Sequence, residues 1–205
     1  NYLNNFAKKY AMQTKELHTL NSIGISLSTE RDVDKLLETI LFKCREITES
    51  DSGSLYIVEE DETIPADPNN YFNNKKLLFK LAQNYTIAVN FQERLLDLNK
   101  KSISGYVALT GKPLLIKDAY NLPPDAEYSH NKSFDEAVGY KCSSMLIVPM
   151  KNQKDEIIGV IQLINKKANP DIKLDSDEIV DDQVIEYDDN DKELVYSLAS
   201  QAAIL

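Results

Sequence analysis

The sequence predicts an α+β fold: a central antiparallel sheet, terminal helices on one face, and an irregular helical and loop cover on the other. Three observations predict it. Residues 32–48 carry a wide apolar stripe at helical spacing, whereas residues 53–60 and 75–83 switch to strand patterning. Two later runs, 143–150 and 156–165, are apolar on both faces, so that part of the sheet is covered on both sides. Only Asn152 to Asp155 joins them, which reads as a hairpin.

Taken in order, residues 1–27 read as a helix. Leu3, Phe6, Tyr10, Leu17, Leu20 and Leu27 fall on alternating steps of three and four, interrupted only at Gln13 and Gly24. So narrow a seam marks a two-helix interface, and residues 1–31 are expected to form a dimerisation and signalling helix. Asp32 is placed to cap the next helix, whose stripe is Val33, Leu36, Leu37, Ile40, Leu41, Cys44 and Ile47. Between the first two strands, Pro65, Pro68 and an Asn pair make a loop. Residues 85–100 are ambiguous. Residues 102–110 form a short helix with Ser104 near its start, ended by Gly111 and Pro113. Residues 114–117 form a short strand. Residues 121–141 are polar, with one helical piece near Phe134 to Val138.

Residues 168–187 are acidic and loop-like, with Asp171, Asp175, Asp177, Asp181 and Asp182. They lack the glycine and closing Glu of a calcium loop, and disorder is expected there. Residues 189–205 form the closing helix, where Leu194, Leu198, Gln201 and Leu205 echo the first seam. The expected organisation is a core over 32–188 and a C-terminal helix over 189–205 leading to an output domain.

Composition narrows the function. With 23 basic and 33 acidic residues the chain carries −10, which repels nucleic-acid backbones and anionic membrane surfaces. Two cysteines far apart, Cys44 and Cys142, fit a reducing cytoplasm. No apolar run is long enough to span a membrane. His18 and His130 have no cysteine or acid at ligand spacing, and no nucleophile elbow or glycine-rich phosphate loop is present, so neither catalysis nor a metal site is expected.

Several stretches together resemble the GAF family. Asp51-Ser52-Gly53-Ser54-Leu55-Tyr56 after the 32–48 helix is similar to its entry into the first strand. Ser104-Gly105-Tyr106-Val107-Ala108, then Gly111-Lys112-Pro113-Leu114 and Asp118, is similar to its middle passage. Residues 143–150 and 158–166 are similar to its final hairpin. The resemblance implies a GAF-like, profilin-like sheet related to that of PAS domains, serving as a regulatory sensor. A finer likeness is to GAF domains of cyclic-nucleotide phosphodiesterases and cyclases. Their mark is Asn-Lys, a gap, Phe, three residues, then Asp-Glu. Asn165, Lys166 and Asp191 match, while Tyr187 and Lys192 depart from it. The resemblance implies a pocket-locking salt bridge between Lys166 and Asp191.

A GAF-like pocket would lie between the sheet and residues 102–141. The candidates are Ser54, Tyr56, Ile116, Asp118, Tyr120, Phe134, Asp135, Val138 and Gln162. Gln162 alternates in phase with Ile158, Val160 and Ile164, and an amide on an apolar strand face needs a partner. Phe134 and Tyr120 are candidates to stack on a purine. Cover residues Lys132 and Lys141 cannot be placed, and a pocket lacking basic side chains suits a weakly charged ligand. The starts of the 102–110 and 133–138 helices can still hold a phosphate. Cyclic AMP or cyclic GMP is therefore a candidate ligand, and no cofactor is expected. Other chemistries of GAF relatives are not expected: a reductase would lack a resolving partner for Cys142, Cys142 is followed by Ser143 where bilin-binding relatives carry a Cys-His pair, and only His130 is available to a haem. The expected assembly is a homodimer through Leu3, Phe6, Tyr10, Leu17, Leu20, Leu194 and Leu198. Two other readings stay open: a ligand-free dimerisation spacer and a PAS-type sensor.

Overall fold

The computed structural model describes residues 32–202, together with helical positions 7, 10, 11, 14, 18, 21 and 22. The first helix, α1, spans Val33–Thr48. Its Asp32 cap accepts from the backbone N–H groups of Asp34 and Lys35, and Glu49 ends it in the left-handed region. Six strands follow the pattern β1 (Ser50–Glu60), β2 (Lys75–Asn84), β3 (Arg94–Asp97), β4 (Leu114–Ile116), β5 (Met145–Lys151) and β6 (Ile157–Lys167). Between them lie α2 (Ile103–Thr110) and α3 (Lys132–Val138); α4 (Asp177–Gln183), the short β7 (Val184–Ile185) and α5 (Asp189–Ala202) close the chain.

The strand order is β3-β2-β1-β6-β5-β4, with β7 added to β6, and each pairing is antiparallel. The alternation of each strand therefore feeds two cores. On one face, Leu36, Ile40, Leu41 and Cys44 of α1 and Val195, Leu198 and Ala199 of α5 pack on Leu55, Leu146, Val148, Ile161 and Leu163. On the other, Ile103, Val107 and Ala108 of α2 pack on Tyr56, Met145, Ile147, Val160 and Ile164. Gly105 of α2 is required by close approach: a Cβ there would come 2.1 Å from the Asn99 carbonyl oxygen.

Several expectations change. Residues 85–100, ambiguous in sequence, supply the edge strand β3. Ile158 packs on the helix face, not with Val160 and Ile164, because a register shift between Met150 and Lys151 breaks the alternation there. Residues 168–187 are ordered rather than disordered. Leu174 and Val180 are buried, Lys167 Nζ donates to the Ile172 carbonyl at 2.9 Å, and the Leu174 amide donates to Thr86 Oγ1 at 2.8 Å. The acidic side chains of this segment face solvent while its sparse apolar ones face the core, a split that net charge conceals. Leu198 is fully buried in the domain's own core, so it is not free for a partner helix; Leu194 is half-buried and Tyr10 exposed. Leu3, Phe6, Leu17 and Leu20 lie outside the described residues. Among the described residues, no helix is long and apolar enough to cross a membrane.

Candidate ligand-binding site

Between the cover and the strands β1, β2, β3 and β6 lies a cavity of about 310 Å³. That is at the lower end of the range of small-molecule sites. It exists because the strand positions facing the cover are small or polar at its centre. Ser54 and Tyr56 of β1 and Gln162 of β6 line it, and Ser54 and Gln162 are cross-strand partners. The Gln162 amide makes no side-chain hydrogen bond among the described residues. One wall is aromatic: Phe79 stacks on Tyr56 with centroids 4.7 Å apart and meets Phe91 edge-on at 4.8 Å.

The N-terminus of α2 forms another wall, through Ser102, Ile103 and Ser104. Ser102 caps the helix by accepting from the Gly105 amide at 3.0 Å. Arg94 of β3 also lines the cavity and brings a basic side chain that the sequence did not single out. Its segment had no readable period, so sequence could not bring it here.

The floor is Asp135. Its side chain is 3% exposed, and three donors converge on Oδ2: Tyr120 Oη at 2.8 Å, the Cys142 amide at 2.9 Å and His130 Nε2 at 2.9 Å. Among the described residues, Oδ1 accepts no hydrogen bond. Burial pushes this carboxyl up, but the hydrogen bonds from His130, Cys142 and Tyr120 more than offset it and hold it below the usual carboxylate value. Asp135 is therefore an anion at neutral pH. Burial, reinforced by that anion, pushes the Tyr120 hydroxyl and the Cys142 thiol up, so both keep their protons.

The expected site residues thus divide. Ser54, Tyr56, Phe134, Asp135 and Gln162 line the cavity. Ile116 does not; it is buried in the core beside it. Tyr120 supports Asp135 from outside, with its ring under Lys132 Nζ at 4.5 Å, so it is not placed to stack on a purine. Asp118 shapes a turn by accepting from the Tyr120 amide and the Asn121 side chain. Val138 is 39% exposed on the outer side of α3. His130 does meet an acid and a cysteine, contrary to expectation: His130, Asp135 and Cys142 come together although five and seven residues separate them in turn.

Behind the cavity, the Asn-Lys pair ends β6. Asn165 is fully buried at φ 59° and accepts from the Ser143 amide at 2.8 Å. Its amide donates to Tyr140 Oη at 3.1 Å and to the Lys141 carbonyl at 2.8 Å. Tyr140, a cavity residue, donates in turn to Asp51 at 2.8 Å, and Asp51 pairs with Lys167 at 3.0 Å in full burial. Lys166 Nζ meets Asp191 Oδ2 at 2.5 Å. Asp191 also accepts from the Asp188 amide while its own amide donates to Asp188, a reciprocal cap on α5. The ion pair expected between Lys166 and Asp191 is therefore present, and it fastens the end of β6 to the start of α5.

The family profile "GAF domain" matches residues 32–205. The chain belongs to the GAF family. GAF domains are typically regulatory, sensory modules of signalling proteins such as phosphodiesterases. It is 29% identical over 163 residues to a cGMP-specific 3',5'-cyclic phosphodiesterase of Drosophila ananassae, covering 78% of this chain and 13% of that protein. The chain thus spans a small part of the curated relatives it matches. In fold it is similar to the GAF domain of a phosphoenolpyruvate-protein phosphotransferase from Coxiella burnetii, with a TM-score of 0.61, 14% identity, and 92% and 90% of the two chains covered. It is also similar to the free methionine-R-sulfoxide reductase of Neisseria meningitidis, with a TM-score of 0.60, 14% identity, and 92% and 86% covered.

Proposed function

We propose that this GAF domain is a non-catalytic sensor that binds cyclic GMP in the cavity and passes the binding event to the C-terminal helix. The observation that carries the reading is Asp135: a buried carboxylate held rigidly through Oδ2 with Oδ1 unpaired beside a cavity. A carboxylate only accepts hydrogen bonds. The Watson–Crick edge of guanine offers adjacent N1–H and N2–H donors, whereas that of adenine places an acceptor beside its single amine. The floor therefore suits guanine better. Phe134 and the Tyr56–Phe79 stack supply flat apolar surface for a base, and the α2 N-terminus with Arg94 supplies positive potential for a cyclic phosphate. The likeness to a cGMP-specific phosphodiesterase supports the same reading.

The route out runs along β6, from Gln162 in the cavity to Lys166 and its clamp on Asp191 at the head of α5. Pairing of two chains through the segment before residue 32, with half-buried Leu194 contributing, would let such a shift reach a linked output domain in a cytoplasmic signalling protein. Sedimentation tests the pairing: a dimer is expected, and a monomer at high micromolar concentration counts against it.

Titration calorimetry on protein kept in a chelator tests the ligand. Cyclic GMP is expected to bind more tightly than cyclic AMP, and saturation at about 100 times its dissociation constant is expected to add about 2.7 kcal/mol of stability. Asp135→Ala is expected to weaken binding at least about tenfold, one unpaired donor being worth about 1.4 kcal/mol or more. Gln162→Ala, a half-buried change, offers a second test if Asp135→Ala does not fold. No heat from either nucleotide overturns the reading.

A further inference from the structure

The cavity floor also places two further donors, His130 and Cys142, beside the Asp135 carboxylate that the nucleotide reading uses. His130 offers an imidazole nitrogen, Asp135 a carboxylate oxygen and Cys142 a sulfur, and these atoms lie within 4.8 Å of one another. A tetrahedral zinc-type ion with bonds of about 2.0–2.3 Å spaces its ligands about 3.3–3.8 Å apart, so small side-chain shifts bring the set to that geometry. We propose that His130, Asp135 and Cys142 form a site for one zinc-like divalent transition-metal ion, with its open coordination position facing the cavity.

Four features support this beyond the clustering. The first is the unpaired Oδ1 of Asp135, on a side chain only 3% exposed. A buried acceptor without a donor calls for an occupant, and a cation satisfies it. The second is outer support: Tyr120 Oη and the Cys142 amide hold Oδ2 and fix the direction of the carboxylate, as metal-ligating carboxylates are commonly held. The third is charge. A carboxylate and a thiolate together carry −2, which balances a divalent ion; the thiol proton leaves to solvent when sulfur binds. The fourth is ligand type. One nitrogen, one oxygen and one sulfur select zinc, cobalt or iron over magnesium and calcium, which prefer oxygen alone.

The ion would take the same Oδ1 that the guanine edge is proposed to meet. Zinc and cyclic GMP are then competitors, and the site would couple nucleotide sensing to metal availability. The metal site itself does not depend on the nucleotide reading. Its test uses metal without nucleotide, and the nucleotide test uses a chelator, so the two can fail separately.

The experiment titrates chelator-treated protein with Co²⁺ and records its absorption. The expected result is one ion per chain, a thiolate-to-cobalt charge-transfer band, and displacement of that band by Zn²⁺ but not by Mg²⁺. Cys142→Ser is expected to abolish the band with unchanged circular dichroism, and Cys44→Ser to leave it intact. His130→Gln, a change in a loop, is expected to weaken Co²⁺ at least about tenfold and keeps the test decisive if Cys142→Ser does not fold. No charge-transfer band in the parent protein, or a band that survives Cys142→Ser, or unchanged affinity in His130→Gln, would overturn the site.

Discussion

On the helix face of the sheet, Leu36, Ile40 and Leu41 of α1 meet Leu55, Leu146, Ile161 and Leu163 with at most 1% of any of these residues exposed. On the cover face, the same strands present Ser54, Tyr56 and Gln162 to a cavity of about 310 Å³. The first face is filled by aliphatic side chains that alternate in register. The second trades filling for a hollow and for buried polar groups tied by hydrogen bonds. Stability therefore resides mainly on the first face, which specifies the fold, while the second leaves space and the unpaired Asp135 Oδ1 facing it. Strand β6 belongs to both, which makes it the natural link between them.

This contrast can be broken by mutation. Ile161→Ala on the filled face is expected to cost about 4 kcal/mol, because neighbours cannot collapse into the void. Met145→Ala, beside the existing hollow, is expected to cost about 2 kcal/mol, at the low end for such truncations. Urea unfolding measures both, and equal losses would erase the distinction between the faces. Between those two in size is Asn165→Ala, which strands the Ser143 amide, the Lys141 carbonyl and part of the Tyr140 hydrogen bonding; about 3 kcal/mol is expected in the same assay.

Asp135→Asn is expected to cost about 2 kcal/mol near neutral pH, where the native side chain is an anion with three donors on one oxygen. The sign of its pH dependence follows from the lowered folded-state value. The contribution is present above the ordinary carboxylate range, about pH 4, and is lost as pH falls through the folded value. The stability gap between parent and variant should therefore shrink on acidification; a gap that grows would contradict the ionised floor.

Smaller still is the clamp between the strand and the last helix. Lys166→Ala is expected to cost about 1 kcal/mol, with a similar coupling energy to Asp191→Ala in a double-mutant cycle. The effect exceeds a surface pair because the side chains are 16% and 6% exposed. Lys192→Ala, which breaks a solvated pair with Asp189, is expected to change stability by less than about 0.5 kcal/mol. If the two lysines behave alike, the clamp is not what joins β6 to α5.

Much of the filled face was legible in the sequence. The stripe from Leu36 to Cys44, the cap at Asp32 and the hairpin around Asn152 are local patterns, and local patterns survive without knowledge of tertiary neighbours. The cover face was legible in part: Ser54, Tyr56 and Gln162 on regular strands, and Phe134 and Asp135 on the short cover helix. Arg94 came from a segment with no period. His130, Asp135 and Cys142 meet because a loop and a short helix fold back on β5, which no spacing rule encodes. Tyr120 and Val138 were expected in the pocket because they flank it in sequence, yet the Asp118 turn sends Tyr120 behind Asp135 and Val138 lies on the outer side of α3. The acidic stretch at 168–187 misled for a related reason: its composition reflects its solvent side, while Leu174 and Val180 anchor it beneath.

The most direct test of the account is amide chemical-shift mapping of isotope-labelled protein titrated with cyclic GMP in the presence of a chelator. Saturable shifts are expected at Ser54, Ser104, Cys142 and Gln162, continuing along β6 to Lys166 and the first turn of α5, with the amides of α1 largely unmoved. Shifts confined to α1, or none at saturating nucleotide, would contradict it.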